Sequence, residues 1–238
     1  MGTRGVYGFR VNGKDKVTYN HFDSYPSSLG LAVAEFASNS LNSLKTIAES
    51  IVLVDEGSNP TPEQIQQCID SGFYNDSVST GSTQEWYCLL RETQGKLDCY
   101  FDILENENAF NFMTDGSGCL EPDTWCEWAY IINVDEGTFE MYNSYGDKHK
   151  GRYKGWNLLL SVELDVLDVK RIEQYEENGG YFDEEIEGHE CQMTYRFTVK
   201  GNPAEIQDQL NTIARDMEEV ISCSIGDIGH FSWEVQAG

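Results

Sequence analysis

The chain has 238 residues, of which 39% are hydrophobic and 12% aromatic, and its 41 acidic and 16 basic side chains give a formal net charge of −25. This apolar content is enough for a sizeable core, which excludes wholesale disorder. A surface this negative repels nucleic-acid phosphate and anionic lipid, so we expect no direct nucleic-acid partner and no membrane partner.

The N-terminal region predicts a β-hairpin. Residues 5–11 and 16–23 read as two strands, and the Asn-Gly pair at 12–13 is a typical hairpin turn. The Tyr-Pro pair at 25–26 ends the second strand, because the residue before a proline avoids the helical conformation.

Helices are predicted next. The serines at 27–28 favour the start of one long helix from about Leu29 to Val54, whose apolar residues keep a helical period. Thr-Pro-Glu at 61–63 opens a short helix that ends near Ser71. Residues 86–91 fit a strand or a helix, and residues 97–104 favour a helix.

The middle and the end of the chain predict more sheet. The predicted elements are a β-hairpin at 125–134 and 138–145, a strand within 151–169, an exposed acidic loop at 173–190, and a final strand, helix and strand at 192–199, 203–221 and 229–235. These elements predict an α+β fold with antiparallel sheets and packed helices. We interpret residues 1–238 as a single α+β domain, with 191–238 as a candidate β-α-β appendage.

Strand register decides where the polar residues of the hairpin lie. A turn with an odd number of residues would place Tyr7, Phe9 and Val11 on the same face as Val17 and Tyr19. A turn with an even number would place these aromatic residues opposite lysine and threonine, so we expect the odd register.

The odd register gathers polar side chains at the open end of the hairpin. We predict one pocket there, with Thr3, His21 and Asp23 as candidate catalytic residues. Its candidate ligand-binding residues are Arg4, Arg10, Asn20 and Tyr25, with the arginines holding an anion. The structural alternative is that the arginines pair with Asp15 or Asp23 and that His21, Asn20 and Tyr25 only support the turn.

Two resemblances extend this interpretation. Residues 2–30, with the later segments Trp-Cys-Glu-Trp-Ala-Tyr-Ile-Ile-Asn-Val, Phe-Glu-Met-Tyr and Gly-Arg-Tyr, resemble an uncharacterised family of bacterial and phage proteins whose members begin with a TRG-like segment followed by a YNHxDSYPxxLG-like segment. That resemblance implies a cytoplasmic α+β domain without an assigned activity.

The hairpin followed by a long helix is similar to the N-terminal-nucleophile hydrolases. This similarity implies a layered αββα arrangement and amide hydrolysis by Thr3, whose α-amine would act as the base after cleavage of the Gly2–Thr3 bond. The chain departs from the pattern because only two residues precede Thr3 and no lysine matches the usual helper cation.

The seven cysteines, an odd number, indicate free thiols in a reducing cytoplasm. No known metal or cofactor motif is present, so we expect neither. The preferred function is a soluble intracellular ligand-binding protein with a small anionic ligand. The alternatives are an N-terminal-nucleophile-like amide hydrolase and an acidic phage-encoded protein that blocks a basic surface of a host protein.

Overall fold

A computed structural model describes residues 2–72, 84–106, 109–145 and 151–177. The described strands are β1 (Gly5–Val11), β2 (Lys14–Asn20), β3 (Val52–Val54), β4 (Phe112–Thr114), β5 (Trp128–Asn133), β6 (Thr138–Asn143) and β7 (Asn157–Glu163). The described α-helices are α1 (Leu31–Asn39), α2 (Leu44–Ser50), α3 (Pro62–Asp70), α4 (Trp86–Leu89) and α5 (Val169–Glu177).

Five of these strands form one sheet in the order β2-β1-β5-β6-β7. The neighbours β1 and β5 are parallel, and the other neighbours are antiparallel. The α+β class is therefore confirmed, with a mixed sheet in place of the expected antiparallel one. Strands β3 and β4 form a separate parallel pair, so the described residues do not supply the second large sheet of an αββα arrangement.

Both faces of the five-stranded sheet are covered. We call the face under α1 and α2 the helix face, and its strand residues in the core are Tyr7, Phe9, Val11, Trp128, Tyr130, Ile132, Phe139 and Met141. We call the opposite face the loop face, because the segments 115–126 and 151–156 cover it. Its buried apolar residues are Val6, Val17, Leu120, Cys126, Ala129, Ile131, Tyr142, Tyr153 and Trp156.

The predicted odd register of the first hairpin is wrong. Tyr7 lies opposite Thr18, and Phe9 lies opposite Lys16. The turn has two residues, Asn12 and Gly13, and both have positive φ values of 53° and 73°, which is typical of a tight hairpin turn.

The even register leaves no apolar side chain of β1 exposed to solvent, because both faces of β1 are buried. Val17 packs on the loop face with Val6 and does not need to join Phe9. On the helix face, the Lys16 Nζ donates to the carbonyl oxygens of Glu49 (2.8 Å) and Ile51 (2.7 Å). Lys16 thus binds carbonyl groups at the C-terminal end of α2, where a cation is favoured.

The single long helix predicted from 29 to 54 is interrupted. A π-helical turn over Pro26–Gly30 leads into α1, a turn separates α1 from α2, and the chain then enters β3. Ser and Asn residues at 38–43 favour turn conformations over helix interiors, and the Ser43 N–H bonds to the Ser40 carbonyl oxygen at 2.7 Å. The helices that the structure describes include none with the length and apolar character to cross a membrane.

Helix α3 begins where the sequence predicts. Thr61 Oγ1 accepts from the Gln64 N–H at 3.3 Å, and Gln64 Oε1 accepts from the Thr61 N–H at 2.8 Å. These two bonds form a capping box. Of the two readings of 86–91, the helix is correct for 86–89, and residues 98–104 form a 3₁₀-helix.

We expect Thr61→Ala to lower the free energy of unfolding by about 1 kcal/mol, because the first turn of α3 loses a side-chain acceptor. Thr61→Ser keeps a hydroxyl at this position and should unfold close to the wild type. Urea unfolding followed by circular dichroism would measure both variants. Equal losses in the two variants would contradict the assigned capping bond.

The predicted acidic loop at 173–190 is wrong for 173–177, which belong to α5. Ile172 and Tyr175 are buried, and the Tyr175 ring meets Trp128 edge-on at 6.0 Å between ring centroids. The two apolar residues are three apart, so one side of the helix anchors to the core. The rest of this loop and the candidate appendage at 191–238 lie outside the described residues.

Candidate functional site

The turn end of the first hairpin carries a charged pair on the loop face. Arg10 Nη1 lies 2.8 Å from Asp15 Oδ1, and each side chain is 21% exposed. The Tyr153 hydroxyl donates to the same Asp15 oxygen at 2.9 Å. Asp15 therefore connects the hairpin to the segment 151–156 that covers this face.

A buried carboxylate lies further along the same face. Glu140 projects from β6, and its side chain is 3% exposed. It accepts hydrogen bonds from Asn133 Nδ2 at 2.7 Å and from the Tyr142 hydroxyl at 2.5 Å. Arg152 Nη1 and Nη2 approach its two oxygens at 2.9 and 3.2 Å. The carboxylate is fully surrounded by donors, as a buried charge requires.

The ionisation of these groups reflects that arrangement. Burial alone would lower the pKa of Arg152, but its hydrogen bond to Glu140 and the carboxylate charge raise that pKa above its ordinary value. Burial, reinforced by the Glu140 hydrogen bond, raises the pKa of Tyr142. Burial followed by the charge of Asp15 raises the pKa of Tyr153. Both tyrosines are therefore neutral donors, and Arg152 is a fixed cation.

A cavity of about 330 Å³ opens beside this network. We call it the Arg152 cavity, and its lining residues are Asp15, Ser117, Gly118, Leu120, Glu121, Pro122, Arg152, Tyr153 and Lys154. A second cavity of about 420 Å³ lies between the helix-face residues Leu41 and Leu44 and the acidic residues Glu163 and Asp165. Only the first adjoins a buried network of charged side chains.

The structure does not bring the predicted site residues into one pocket. Arg10 lies at the turn end, bonded to Asp15. His21 lies six residues beyond Asp15, up to about 20 Å along an extended strand. Arg4 shares the open end with His21, and the Tyr19 hydroxyl lies 2.8 Å from His21 Nδ1. The predicted convergence of Arg10 with His21 therefore needs correction.

Three of the remaining residues serve the local backbone. Asn20 is buried, and its Nδ2 donates to the Ser24 hydroxyl at 2.8 Å and to the Phe22 carbonyl oxygen. Asp23 is exposed with a positive φ of 52°, and its carbonyl oxygen accepts from Leu29 at 3.3 Å. The Tyr25 carbonyl oxygen accepts from the first turns of the following helical segment. These contacts agree with the structural alternative stated for this stretch.

Thr3, the candidate nucleophile, is 4% exposed. Its carbonyl oxygen accepts from the Ser24 N–H at 3.2 Å. Asp23 is exposed, whereas Thr3 is buried, so the two candidate catalytic residues do not share an accessible surface. The amide-hydrolase hypothesis stays a prediction, and no described contact of Thr3 favours it.

Sequence reasoning named Asp15 as a possible partner of the arginines, but it missed the other central residues of the network, which are Glu140, Tyr142, Arg152 and Tyr153. One signal was present. Glu140 is a lone charged residue inside the apolar strand Thr-Phe-Glu-Met-Tyr, and a charge at a covered position requires a partner. The Gly-Arg-Tyr segment contains that partner, Arg152.

Comparisons of the chain with models of protein families, with curated proteins and with solved structures found no match. The two resemblances stated from the sequence therefore stay predictions.

Proposed function

We propose that the protein binds a small ligand carrying an anionic group in the Arg152 cavity. One observation supports this function. Arg152 lines the cavity, and the buried carboxylate of Glu140 fixes the position of its guanidinium. A guanidinium held in this way is already oriented when a ligand arrives, which reduces the entropy lost on binding.

Arg152 retains donor capacity for a ligand. A guanidinium carries five N–H groups, and within the described residues Arg152 donates one hydrogen bond to Glu136 and two to Glu140, while it lies 5.9 Å from the centroid of the Tyr153 ring. Lys154 adds a second cation to the lining of the cavity. Together these side chains offer an anionic group both directed N–H donors and a mobile ammonium.

The cavity also has acidic groups. Asp15 and Glu121 line it together with the two cations. A ligand with only negative charge would be repelled by these carboxylates, whereas a ligand that also carries an ammonium or hydroxyl group would bind them. We therefore infer a small ligand with an anionic end and a hydrogen-bond-donating end.

Structural stability alone does not explain the buried ion pair of Glu140 and Arg152. Replacing a buried ion pair by well-packed apolar side chains is often neutral or stabilising, so strand cohesion alone does not call for Glu140 and Arg152. Their position beside a cavity supports a role in binding. The Arg10–Asp15 pair adjoins the same arrangement, since Asp15 lines the cavity. This cavity lies at the turn end of the hairpin and is a different site from the pocket predicted at the open end.

The test uses phosphoethanolamine as a probe, because it is small and carries both a phosphate and an ammonium group. We expect it to raise the melting temperature of the wild type and to bind in a calorimetric titration up to about 10 mM, well above a millimolar Kd. Lys154→Gln should weaken the binding at least several-fold, because the cavity loses one of its two cations. Inorganic phosphate should bind more weakly than phosphoethanolamine.

Lys14→Gln is the matched control. Lys14 is exposed at the start of β2 and does not line the cavity, so this variant makes the same charge change and should bind phosphoethanolamine like the wild type. Equal losses in the two variants would mean that only the net charge matters. No binding of either probe to the folded wild type would contradict the proposed ligand chemistry.

We also propose a cytoplasmic location. Five cysteines of the described residues, at positions 68, 88, 99, 119 and 126, are free thiols. Free thiols persist where glutathione and thioredoxin keep cysteines reduced.

A further inference from the structure

Two thiols lie in one cluster on the loop face, at the open end of the first hairpin. Cys119 lies in the 3₁₀ turn Ser117–Leu120, and Cys126 lies two residues before β5. Cys126 is 1% exposed, and Cys119 is partly exposed. Both belong to the loop-face cluster with Tyr19, and each thiol has the largest single influence on the pKa of the other.

The backbone around the thiol pair is fixed to the sheet on both sides. Before Cys119, the Gly116 N–H donates to the Val17 carbonyl oxygen at 2.8 Å. After Cys126, the Glu127 N–H donates to the Arg4 carbonyl oxygen at 2.8 Å. Between the two thiols, Thr124 Oγ1 donates to the Cys119 carbonyl oxygen at 3.0 Å. The positions of Cys119 and Cys126 are therefore fixed by hydrogen bonds to the backbone of Val17 and Arg4 and within the segment 119–124.

Gly116 allows this close approach. A Cβ atom there would lie 2.7 Å from the Tyr19 nitrogen and 2.8 Å from the Thr18 carbonyl carbon. Only glycine lets the segment 115–126 lie directly on β2, which places Cys119 above the end of that strand.

The surroundings distinguish Cys119 from the other described cysteines. Its hydrogen bond with Cys126 lowers the pKa of the Cys119 thiol against the opposing effect of burial, while the same bond raises the pKa of Cys126. Arg4 adds a positive charge beside Cys126. By contrast, burial raises the pKa of Cys68 to about 12 and also raises the pKa values of Cys88 and Cys99.

We propose that Cys119 and Cys126 form a redox-active dithiol in which Cys119 reacts first with a hydroperoxide. The Cys119 thiolate attacks the peroxide, the O–O bond breaks, and the products are a Cys119 sulfenic acid and an alcohol or water. The Cys126 sulfur then attacks the Cys119 sulfur and displaces water, and a disulfide bond forms. The peroxide gains the two electrons that the thiol pair loses, and an external thiol can return them.

The arrangement fits this sequence of steps. Cys119 is the accessible thiol and therefore meets the oxidant, whereas buried Cys126 can only act as the resolving thiol. The positive charge of Arg4 favours negative charge on the Cys126 sulfur. The Arg4 carbonyl oxygen also accepts a hydrogen bond from the Glu127 N–H. Arg4, a candidate residue of the predicted N-terminal site, thus lies near the thiols and does not line the Arg152 cavity.

The experiment treats the folded full-length protein with hydrogen peroxide, blocks the remaining thiols and maps the peptides by mass spectrometry. Proteolysis at Glu121 or Asp123 separates the two cysteines, so a linked pair of peptides reports the bond directly. We expect Cys119 to be joined to Cys126, and the link to disappear after dithiothreitol. In Cys126→Ser, dimedone should label Cys119, because no resolving thiol remains to consume the sulfenic acid.

Cys88→Ser is the matched control, since Cys88 is a buried thiol with a raised pKa, and this variant should still form the Cys119–Cys126 link. If Cys126→Ser does not fold, the wild type decides. In it, iodoacetamide should alkylate Cys119 many-fold faster than Cys88. Equal alkylation rates, or oxidation that leaves Cys119 and Cys126 unlinked in the folded wild type, would overturn the proposal.

Discussion

Glu140→Ala should lower the free energy of unfolding by about 3–5 kcal/mol, the usual cost of removing one partner of a buried ion pair. The variant leaves Arg152 without the carboxylate that holds it, and it leaves the Asn133 amide and the Tyr142 hydroxyl without an acceptor. Each unsatisfied buried donor adds its own desolvation cost. Urea unfolding at constant pH would measure the loss as a lower midpoint with an unchanged slope.

Glu136→Ala is the control for this change. Glu136 also binds Arg152, at 3.2 Å, but its side chain is 64% exposed. An exposed ion pair contributes about 0–1 kcal/mol, so this variant should unfold close to the wild type. Similar losses in the two variants would show that burial does not decide the energy of the network.

A double variant shows how much of the lost unfolding free energy comes from the unpaired charge of Arg152. Glu140→Met combined with Arg152→Met removes both charges and should recover part of the stability lost by Glu140→Ala, because no unpaired charge remains. The double variant should also lose phosphoethanolamine binding. Recovered stability with retained binding would contradict the role of Arg152 in the proposed site.

The sequence predicted the elements of the sheet better than their arrangement. The two hairpins were found from their turn residues, because Asn12, Gly13 and Gly137 adopt positive φ values that few residue types adopt readily. The register of the first hairpin was missed, since the period of two distinguishes a buried face only when the other face is exposed. Here both faces of β1 are covered, and the covering segments come from distant parts of the chain.

The candidate site shows the same limit. Arg10 and Asp15 are five residues apart, and their pairing was one of the stated alternatives. The hydrogen bond from Tyr153 to Asp15 joins residues 138 positions apart, and it depends on the parallel pairing of β1 with β5. No local pattern predicts that pairing, so the connection of Asp15 to the network around Glu140 could be found only from the folded chain.

Gly8 carries a register signal that the sequence analysis did not use. It lies opposite Val17 in the centre of the β1–β2 pair and has a φ of +149°. A Cβ atom at this position would lie 2.3 Å from the Lys16 carbonyl oxygen and 2.8 Å from the Val17 Cα. Both neighbouring atoms belong to the backbone of β2, so they cannot move aside without breaking the strand pairing.

Gly8→Ala should therefore lower the free energy of unfolding by about 2–6 kcal/mol, because backbone strain and overpacking each cost about 1–3 kcal/mol. Gly13→Ala is the matched control: its φ is also positive, at +73°, but a Cβ atom there meets nothing within 4 Å. It should lose only about 1–2 kcal/mol, the cost of a left-handed residue. Urea unfolding would compare the two, and equal losses would mean that the contact with β2 is not what requires glycine.

Because Gly8 lies between Val6 and Arg10 on the loop face, a folded Gly8→Ala protein should also show weaker phosphoethanolamine binding. The displaced strand would carry Arg10 away from Asp15, and Asp15 away from the Arg152 cavity.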